Sequence, residues 1–141
     1  MINLTKSGNT LVAVTLYEKT TISAVTPYYL FEFLSQDTNQ NVYCTGTDIS
    51  PNVFRYNLFN FCETGTTSQN LTACTINLTP AGYWQYNVYQ MTGQTNTSLT
   101  GVTGSAIESG KMLVSGTSQS VNFGVKAFTG GTNQTRYVWN G

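Results

Sequence analysis

The segments YYLFEFLS (residues 28–35) and YWQYNVYQM (residues 83–91) carry the strongest β-strand patterns in this chain. In the second segment Trp84, Tyr86 and Val88 fall on one face, because successive side chains of a strand point to opposite sides. The first segment is largely apolar on both faces, which is typical of a strand with neighbours on each side. We therefore predict that both segments are central strands of a sheet.

Further segments with strand character lie on both sides of these two and are separated by polar turns. They are LVAVTLYEK (11–19), VYCTGTD (42–48), FRYNLFNFCE (54–63), LTACTINL (71–78), GKMLVSG, VNFGVKAF and TRYVWNG. No segment of adequate length has helical periodicity, and residues 105–110 offer at most one turn. This pattern predicts an all-β fold, an immunoglobulin-like antiparallel β-sandwich of about eight short strands, with a small barrel as the alternative.

The whole chain, residues 1–141, is expected to form one domain, because 141 residues are too few for two ordinary domains. Residues 117–141 are expected to add a C-terminal strand pair or a docking segment. The polar, glycine-rich residues 92–105 are predicted to be an exposed loop. The register of residues 54–63 stays open, since either Phe59 and Phe61 or Tyr56 and Leu58 can face inward.

The composition is poor in groups that carry chemistry. The chain has no histidine, 6 acidic and 6 basic residues, and 9% charged residues, against ~25% in typical soluble proteins. Thr, Asn, Ser and Gln replace the missing charge, which keeps a surface wet but electrostatically neutral. Without histidine there is no Ser-His-Asp or Cys-His pair, and the scattered basic residues offer nucleic acid no binding stripe. We predict a protein that is not an enzyme, with no cofactor or metal and with no nucleic-acid partner.

The acidic residues and one glycine-rich segment are candidates for a catalytic, metal or phosphate site. A glycosidase needs two facing carboxylates, and spacing singles out no pair among the six acidic residues. Asp37 and Asp48 lie in turns, where capping explains them better than a shared calcium ion. Residues 104–111 resemble a phosphate loop but lack its glycine and its final Ser or Thr. The six acidic residues of the chain are Glu18, Glu32, Asp37, Asp48, Glu63 and Glu108.

Aromatic residues give two candidate binding surfaces. Trp84 with Tyr83, Tyr86 and Tyr89 is either part of the core, which is the usual role of such a strand, or a platform for stacking sugars. Near the C-terminus, Tyr137, Val138 and Trp139 are candidates for docking on a neighbouring subunit, by strand addition or as an apolar anchor.

The three cysteines and the N-terminus bear on the compartment. Cys44, Cys62 and Cys74 match neither a disulfide framework nor a zinc site, so we expect free, mostly buried thiols, with a Cys62–Cys74 bridge as the alternative. Residues 1–6 lack the features of a signal peptide, and no apolar run approaches the ~20 residues of a membrane span. We expect no membrane partner and synthesis in the cytoplasm.

Five segments, in this order and spacing, resemble the small β-rich virion and capsid-associated proteins of tailed bacteriophages. They are LVAVTLYEKTT, YYLFEF, RYNLFNF, PAGYWQYNVYQ and SGKMLVSG, and the resemblance covers roughly residues 3–116. The chain departs from the family pattern at Tyr17, which precedes Glu18, at Gln90, where the family has Glu, and at Met112. Such proteins have no defined catalytic site, so the resemblance carries over no functional residue.

The resemblance implies a virion structural protein on the capsid surface, made in the host cytoplasm. We expect a capsid decoration, head auxiliary or head-fibre base protein that docks on the major capsid protein or another virion protein, as a homo-oligomer or bound to the capsid lattice. One alternative is a carbohydrate-binding module on the virion surface or tail that contacts host glycans through residues 92–105 and exposed aromatic residues. A hydrolase acting on envelope sugars is the other.

Overall fold

The part of the chain that the structure describes is all-β. The structure is a computed structural model that describes residues 1–23, 26–66 and 68–116; the expected strands VNFGVKAF and TRYVWNG lie outside these residues. Over the described ranges there is no α-helix, and three short 3-10 turns interrupt the strands. The eight strands found there are β1 (Ile2–Thr5), β2 (Asn9–Val14), β3 (Tyr28–Ser35), β4 (Asn41–Thr45), β5 (Asn57–Glu63), β6 (Thr75–Ile76), β7 (Gly82–Met91) and β8 (Val102–Ser115).

The strands form a five-stranded sheet in the order β1-β8-β7-β3-β4 and a three-stranded sheet in the order β2-β5-β6. The two central strands predicted from sequence, β3 and β7, lie side by side in the large sheet, antiparallel and in continuous register from Tyr28 to Ser35. The expectation of a purely antiparallel arrangement is wrong at two pairs. Strand β1 runs parallel to β8, and β6 runs parallel to β5.

The core lies between the two sheets and is built from aromatic rings. The Phe31 ring of β3 meets the rings of Phe59 and Phe61 of β5 edge to face, at centroid distances of 4.8 and 5.0 Å. Both phenylalanines are buried, which decides the register that the sequence left open. Trp84 of β7 is buried on the same side of the large sheet. Apolar burial of this kind contributes about 25 cal/mol per Å², so these large rings contribute strongly to stability.

Several boundaries differ from the sequence-based expectation. Strand β8 begins at Val102, so residues 105–110 are strand, and the exposed loop after β7 is shorter than predicted. Strand β2 ends at Val14 and is followed by a 3-10 turn, Tyr17–Lys19. The segment at 71–78, predicted as one strand, begins with a 3-10 turn, Leu71–Ala73, and contains only a two-residue strand, Thr75–Ile76. No helix in the described ranges is long and apolar enough to cross a membrane.

Candidate functional site

Apolar side chains reach solvent on the loop between β4 and β5. Phe54 is 65% exposed, and its ring packs edge to face against the ring of Tyr17 at 5.0 Å. Ile49 and Val53 on the same loop are also exposed. We call these four residues the Tyr17–Phe54 patch. Exposed aromatic side chains cost free energy in water, so their presence on a well-defined loop calls for a physical reason.

Hydrogen bonds within the loop fix the backbone that carries Phe54. The Asn52 side-chain oxygen accepts from the Phe54 amide at 3.2 Å, and the Asn52 carbonyl accepts from the Arg55 and Tyr56 amides at 3.1 and 3.3 Å. The side chain of an Asn or Asp favours such tight turns because it can replace a backbone acceptor. The backbone that carries Phe54 is therefore held in a defined turn.

Asp48 closes the base of the same loop. Its carboxylate accepts from the backbone amides of Ser50 and Leu58 at 2.9 and 3.0 Å and from the Asn57 amide group at 2.6 Å. Burial alone would raise the pKa of the Asp48 carboxyl, but these hydrogen bonds outweigh it and hold that pKa below its ordinary value. Asp48 thus caps a turn, as the sequence predicted, and its oxygens are occupied by protein donors.

Asn57 connects this loop to Tyr17. The Asn57 side chain is buried, and its oxygen accepts from the backbone amides of Leu16 and Tyr17 at 2.9 and 3.0 Å. One buried amide therefore positions both the loop of Phe54 and the turn of Tyr17. A rigid aromatic pair is suited to filling an apolar pocket on another protein, because little conformational entropy is lost on binding.

The residues considered as a sugar platform separate onto different faces of β7. Trp84 is buried and donates its indole N–H to the Pro80 carbonyl at 3.0 Å, and Tyr86 is buried beside it in the core. The core interpretation is confirmed for these two. Tyr83 is exposed on the opposite face, and Tyr89 on that face is half-buried. Trp84 therefore cannot stack on a ligand in this fold.

A polar cluster surrounds Glu32 on the outer face of the large sheet. Asn87 of β7 and Tyr43 of β4 lie directly opposite Glu32 in register. The Glu32 carboxylate accepts from the Asn87 amide at 2.8 Å, the Tyr89 hydroxyl at 3.0 Å, the Tyr43 hydroxyl at 3.1 Å and the Asn41 amide at 3.3 Å. Burial, together with the hydrogen bond to Glu32 and its charge, raises the pKa of Tyr89 to about 12. We call these five residues the Glu32 cluster.

A second buried carboxylate, Glu63 of β5, holds the turn between β1 and β2. It accepts from the Lys6 ammonium at 2.6 Å and from the backbone amides of Ser7 and Leu78 at 2.7 and 3.1 Å. Glu63 is almost fully buried and Lys6 is partly so. These contacts link three separate parts of the chain. The Glu63 side chain is fully buried, so its carboxylate oxygens bind only protein donors and Glu63 has a structural role.

The remaining candidates are dispersed. Glu108 of β8 pairs with Lys19 at the surface, and residues 104–111 form part of β8, which rules out a phosphate loop before a helix. At the turn after β3, the Ser35 hydroxyl accepts from the Asp37 amide at 3.3 Å. Tyr137, Val138 and Trp139, the docking residues expected from sequence, lie outside the described residues.

The Tyr17–Phe54 patch was not found by sequence reasoning, which placed both residues inside predicted strands. The turn signal Asp48-Ile49-Ser50-Pro51-Asn52 precedes Phe54 in the sequence. A prediction that extended the loop beyond this signal would have placed Phe54 outside the strand. It would then have identified Phe54 as an aromatic residue in an exposed turn.

No protein-family model and no curated protein matches the chain. Among solved structures, the chain is similar to a "putative glycoside hydrolase" from Bacteroides vulgatus, with 10% sequence identity and a TM-score of 0.42. The match covers 84% of this chain, which spans only 17% of the length of that protein. A likeness at this level carries no argument about function.

Proposed function

We propose that this protein is a non-enzymatic structural protein of a bacteriophage virion. In this role it is a capsid decoration, head auxiliary or head-fibre base protein, located on the capsid surface and docked on the major capsid protein. The motif resemblance over residues 3–116 motivates the proposal, and the exposed, preorganised Phe54 is the structural observation that carries it. The partner surface is an apolar pocket that receives the Tyr17–Phe54 patch.

The physical argument rests on rigidity and repetition. Aromatic anchors in desolvated pockets dominate the binding energy of many interfaces, although few residues contribute. Asp48, Asn52 and Asn57 fix the patch in advance, so docking loses little loop entropy. On a capsid lattice, repeated copies that also contact one another are retained more strongly than a single contact would allow.

We further propose that the two sheets form an immunoglobulin-like sandwich. The order β8-β7-β3-β4 matches the G-F-C-C′ order of a variable-type domain, and the β2–β5 pair matches B–E. The parallel pairing of β6 with β5 is a departure from the simplest version of that fold. Nuclear Overhauser contacts in solution between the rings of Phe31 and Phe59, which lie on the two facing sheets, would test the sandwich, and their absence would contradict it.

The first test is the copy number of this protein in purified phage particles, measured by quantitative mass spectrometry against the major capsid protein. Hundreds of copies would support a place on the capsid lattice. A handful would instead indicate a vertex, portal or tail position, and complete absence would overturn the virion proposal.

The second test separates the patch from the rest of the surface. Phe54→Ser should weaken binding to purified capsids lacking this protein by at least about tenfold, because it removes an aromatic anchor. Leu11→Ser is the matched control, since Leu11 is also 62% exposed but lies on the outer face of the small sheet. Stability of both variants should stay within about 0.5 kcal/mol of wild type. Equal binding by wild type and Phe54→Ser would reject the patch as the docking surface.

If Phe54→Ser binds normally, the C-terminal residues are the next candidate. Replacing Tyr137 and Trp139 with Ser would then test the docking segment expected from sequence. Loss of binding in that variant alone would keep the virion function and move the docking surface to residues 117–141.

A carbohydrate-binding module remains the second candidate function, and the exposed Tyr83 favours it. Tyr83 and Gln85 are exposed on the outer face of β7, in the same row as Asn87, an arrangement of the kind that contacts sugar rings and hydroxyls. A glycan array followed by titration of Tyr83→Ala would test it. Binding that disappears in this variant would support the module, whereas an array without hits would remove it.

A further inference from the structure

Two cysteine thiols meet in the core at the junction of the two sheets. Cys44 lies on β4, at the edge of the large sheet, and Cys74 lies just before β6 of the small sheet. Both residues are buried, and their Sγ atoms are 3.1 Å apart. This distance is shorter than an ordinary van der Waals contact between two sulfur atoms. A disulfide bond would form if the two atoms approached each other by about 1 Å more.

The backbone around Cys74 is arranged to bring its sulfur to this point. Cys74 has φ 50° and ψ 34°, a left-handed conformation that is uncommon for a residue other than Gly, Asn or Asp. The Cys74 amide donates to the Thr45 carbonyl at 3.2 Å, which ties this strained turn to β4. A side chain at Gly46 would come within 2.7 Å of the Cys74 sulfur, so the glycine leaves room for it. The left-handed backbone, the hydrogen bond to β4 and the absence of a side chain at Gly46 together place the Cys74 sulfur beside Cys44.

We propose that Cys44 and Cys74 form a disulfide bond that joins the two sheets when the chain meets an oxidising environment. This differs from the Cys62–Cys74 bridge considered from sequence. Cys62 alternates with the inward-facing Phe61 on β5, so its side chain points to the outer face of the small sheet. The Cys62 amide does donate to the Cys74 carbonyl, at 3.0 Å, but that contact joins backbones and not thiols.

The reaction is a two-step exchange with a small-molecule disulfide such as glutathione disulfide. One protein thiolate attacks that disulfide, forms a mixed disulfide and releases one glutathione thiolate. The second protein thiolate then attacks the protein sulfur of the mixed disulfide and releases the second glutathione. Two cysteines lose their hydrogens and are oxidised, and one glutathione disulfide is reduced to two thiols.

Burial makes this exchange slow in the folded chain. It raises the pKa of the Cys44 thiol well above its ordinary value, with the neighbouring Cys74 acting in the same direction. Oxidation is therefore expected during folding or after local opening. Once formed, the bond is shielded from reductants for the same reason. The cross-linked residues are 30 positions apart, and a closed loop of that length should raise the Tm by roughly 10 °C.

The experiment is refolding of the full chain from denaturant in a buffer of reduced and oxidised glutathione, so that access to the thiols does not limit the result. Remaining thiols are then alkylated under denaturing conditions and counted by intact mass, and peptide mapping locates the bridge. The matched variants are Cys62→Ser, Cys44→Ser and Cys74→Ser. Circular dichroism before alkylation reports whether each variant has folded.

We expect the wild-type chain to go from three free thiols to one, with a Cys44–Cys74 peptide and a higher Tm. Cys62→Ser should form the same bridge, and Cys44→Ser and Cys74→Ser should keep both of their thiols. Three free thiols in folded wild type, or a bridge that includes Cys62, would overturn the proposal. If Cys44→Ser does not fold, Cys62→Ser still decides the question, because only one pair of thiols is then present.

Discussion

The two buried glutamates, Glu63 and Glu32, are compensated in opposite ways. The charge of Glu63 is balanced by the Lys6 ammonium and two backbone amides, at the junction of β1, β5 and the segment before β7. Glu32 is held only by neutral side chains, two tyrosine hydroxyls and two asparagine amides, on the outer face of the large sheet. No Lys or Arg in the described part of the chain forms an ion pair with Glu32.

Burial alone therefore does not define the role of a carboxylate. Removing one member of a buried ion pair leaves the other charge without its partner, which is costly. Neutral donors can instead reorient when the acceptor changes, because a hydroxyl rotates freely and both donates and accepts. Glu63 should therefore matter mainly for stability, whereas Glu32 should matter mainly for the properties of the outer face.

The largest effect is expected from Glu63→Gln. The glutamine has nearly the same shape but no charge, and its amide group would face donors at Lys6, Ser7 or Leu78. We expect the free energy of unfolding to fall by about 3 kcal/mol, measured by urea denaturation. Glu18→Gln is the matched control at an exposed position and should change stability by less than about 0.5 kcal/mol. A loss at Glu63 as small as that at Glu18 would contradict the structural role.

A smaller effect is expected from Glu32→Gln. One oxygen remains as an acceptor, and the hydroxyls of Tyr43 and Tyr89 can turn to accept from the new amide group. The free energy of unfolding should therefore fall by about 1 kcal/mol in the same denaturation experiment. If this variant lost as much stability as Glu63→Gln, the distinction between the two carboxylates would fail.

The smallest effect concerns proton affinity and tests the Glu32 cluster without disrupting it. The raised pKa of Tyr89, about 12, means that its protonated form stabilises the fold fully below the unfolded-state pKa of about 10. That contribution is lost as the pH rises from about 10 to about 12. Ultraviolet difference titration should show Tyr89 ionising near pH 12 in wild type, in a curve to which Tyr29 and Tyr86 also contribute late, because burial raises the pKa of both.

In Glu32→Gln the same tyrosine should ionise closer to pH 10, because the neighbouring charge and its hydrogen bond are gone. Tyr89→Phe identifies the signal, since it removes that ionisation from the titration curve. An unchanged curve in Glu32→Gln would show that burial, and not the carboxylate, sets the proton affinity of Tyr89.

Much of the fold could be predicted because it depends on local alternation of side chains. The placement of Trp84, Tyr86 and Val88 on one face of a central strand is confirmed. The choice between Phe59 and Tyr56 as the inward residue could not be made from sequence, since both are aromatic and only the facing sheet decides. The first half of β8 was missed because its Thr, Gly and Ser residues resemble a loop, and pairing with β7 makes them a strand.

The candidate site was less predictable, because its parts come from distant positions. Tyr17 and Phe54 meet only after two turns have formed, and Asn57, which joins those turns, carries no signal of this role in the sequence. The same holds for Cys44 and Cys74, where spacing suggested a different partner. Side chains that share a strand could be assigned from sequence, and side chains brought together between strands could not.

The parallel pairing of β1 with β8 has a consequence for how the chain folds. The Ser115 hydroxyl donates to the Leu4 carbonyl, a contact that spans 111 positions of sequence. The edge of the large sheet therefore cannot be completed on the ribosome until almost all the described chain has emerged. Contacts of such long range slow folding, since the entropy of closing the loop is lost before the pairing stabilises it. Until then, β7 has an open edge that a second nascent copy could pair with.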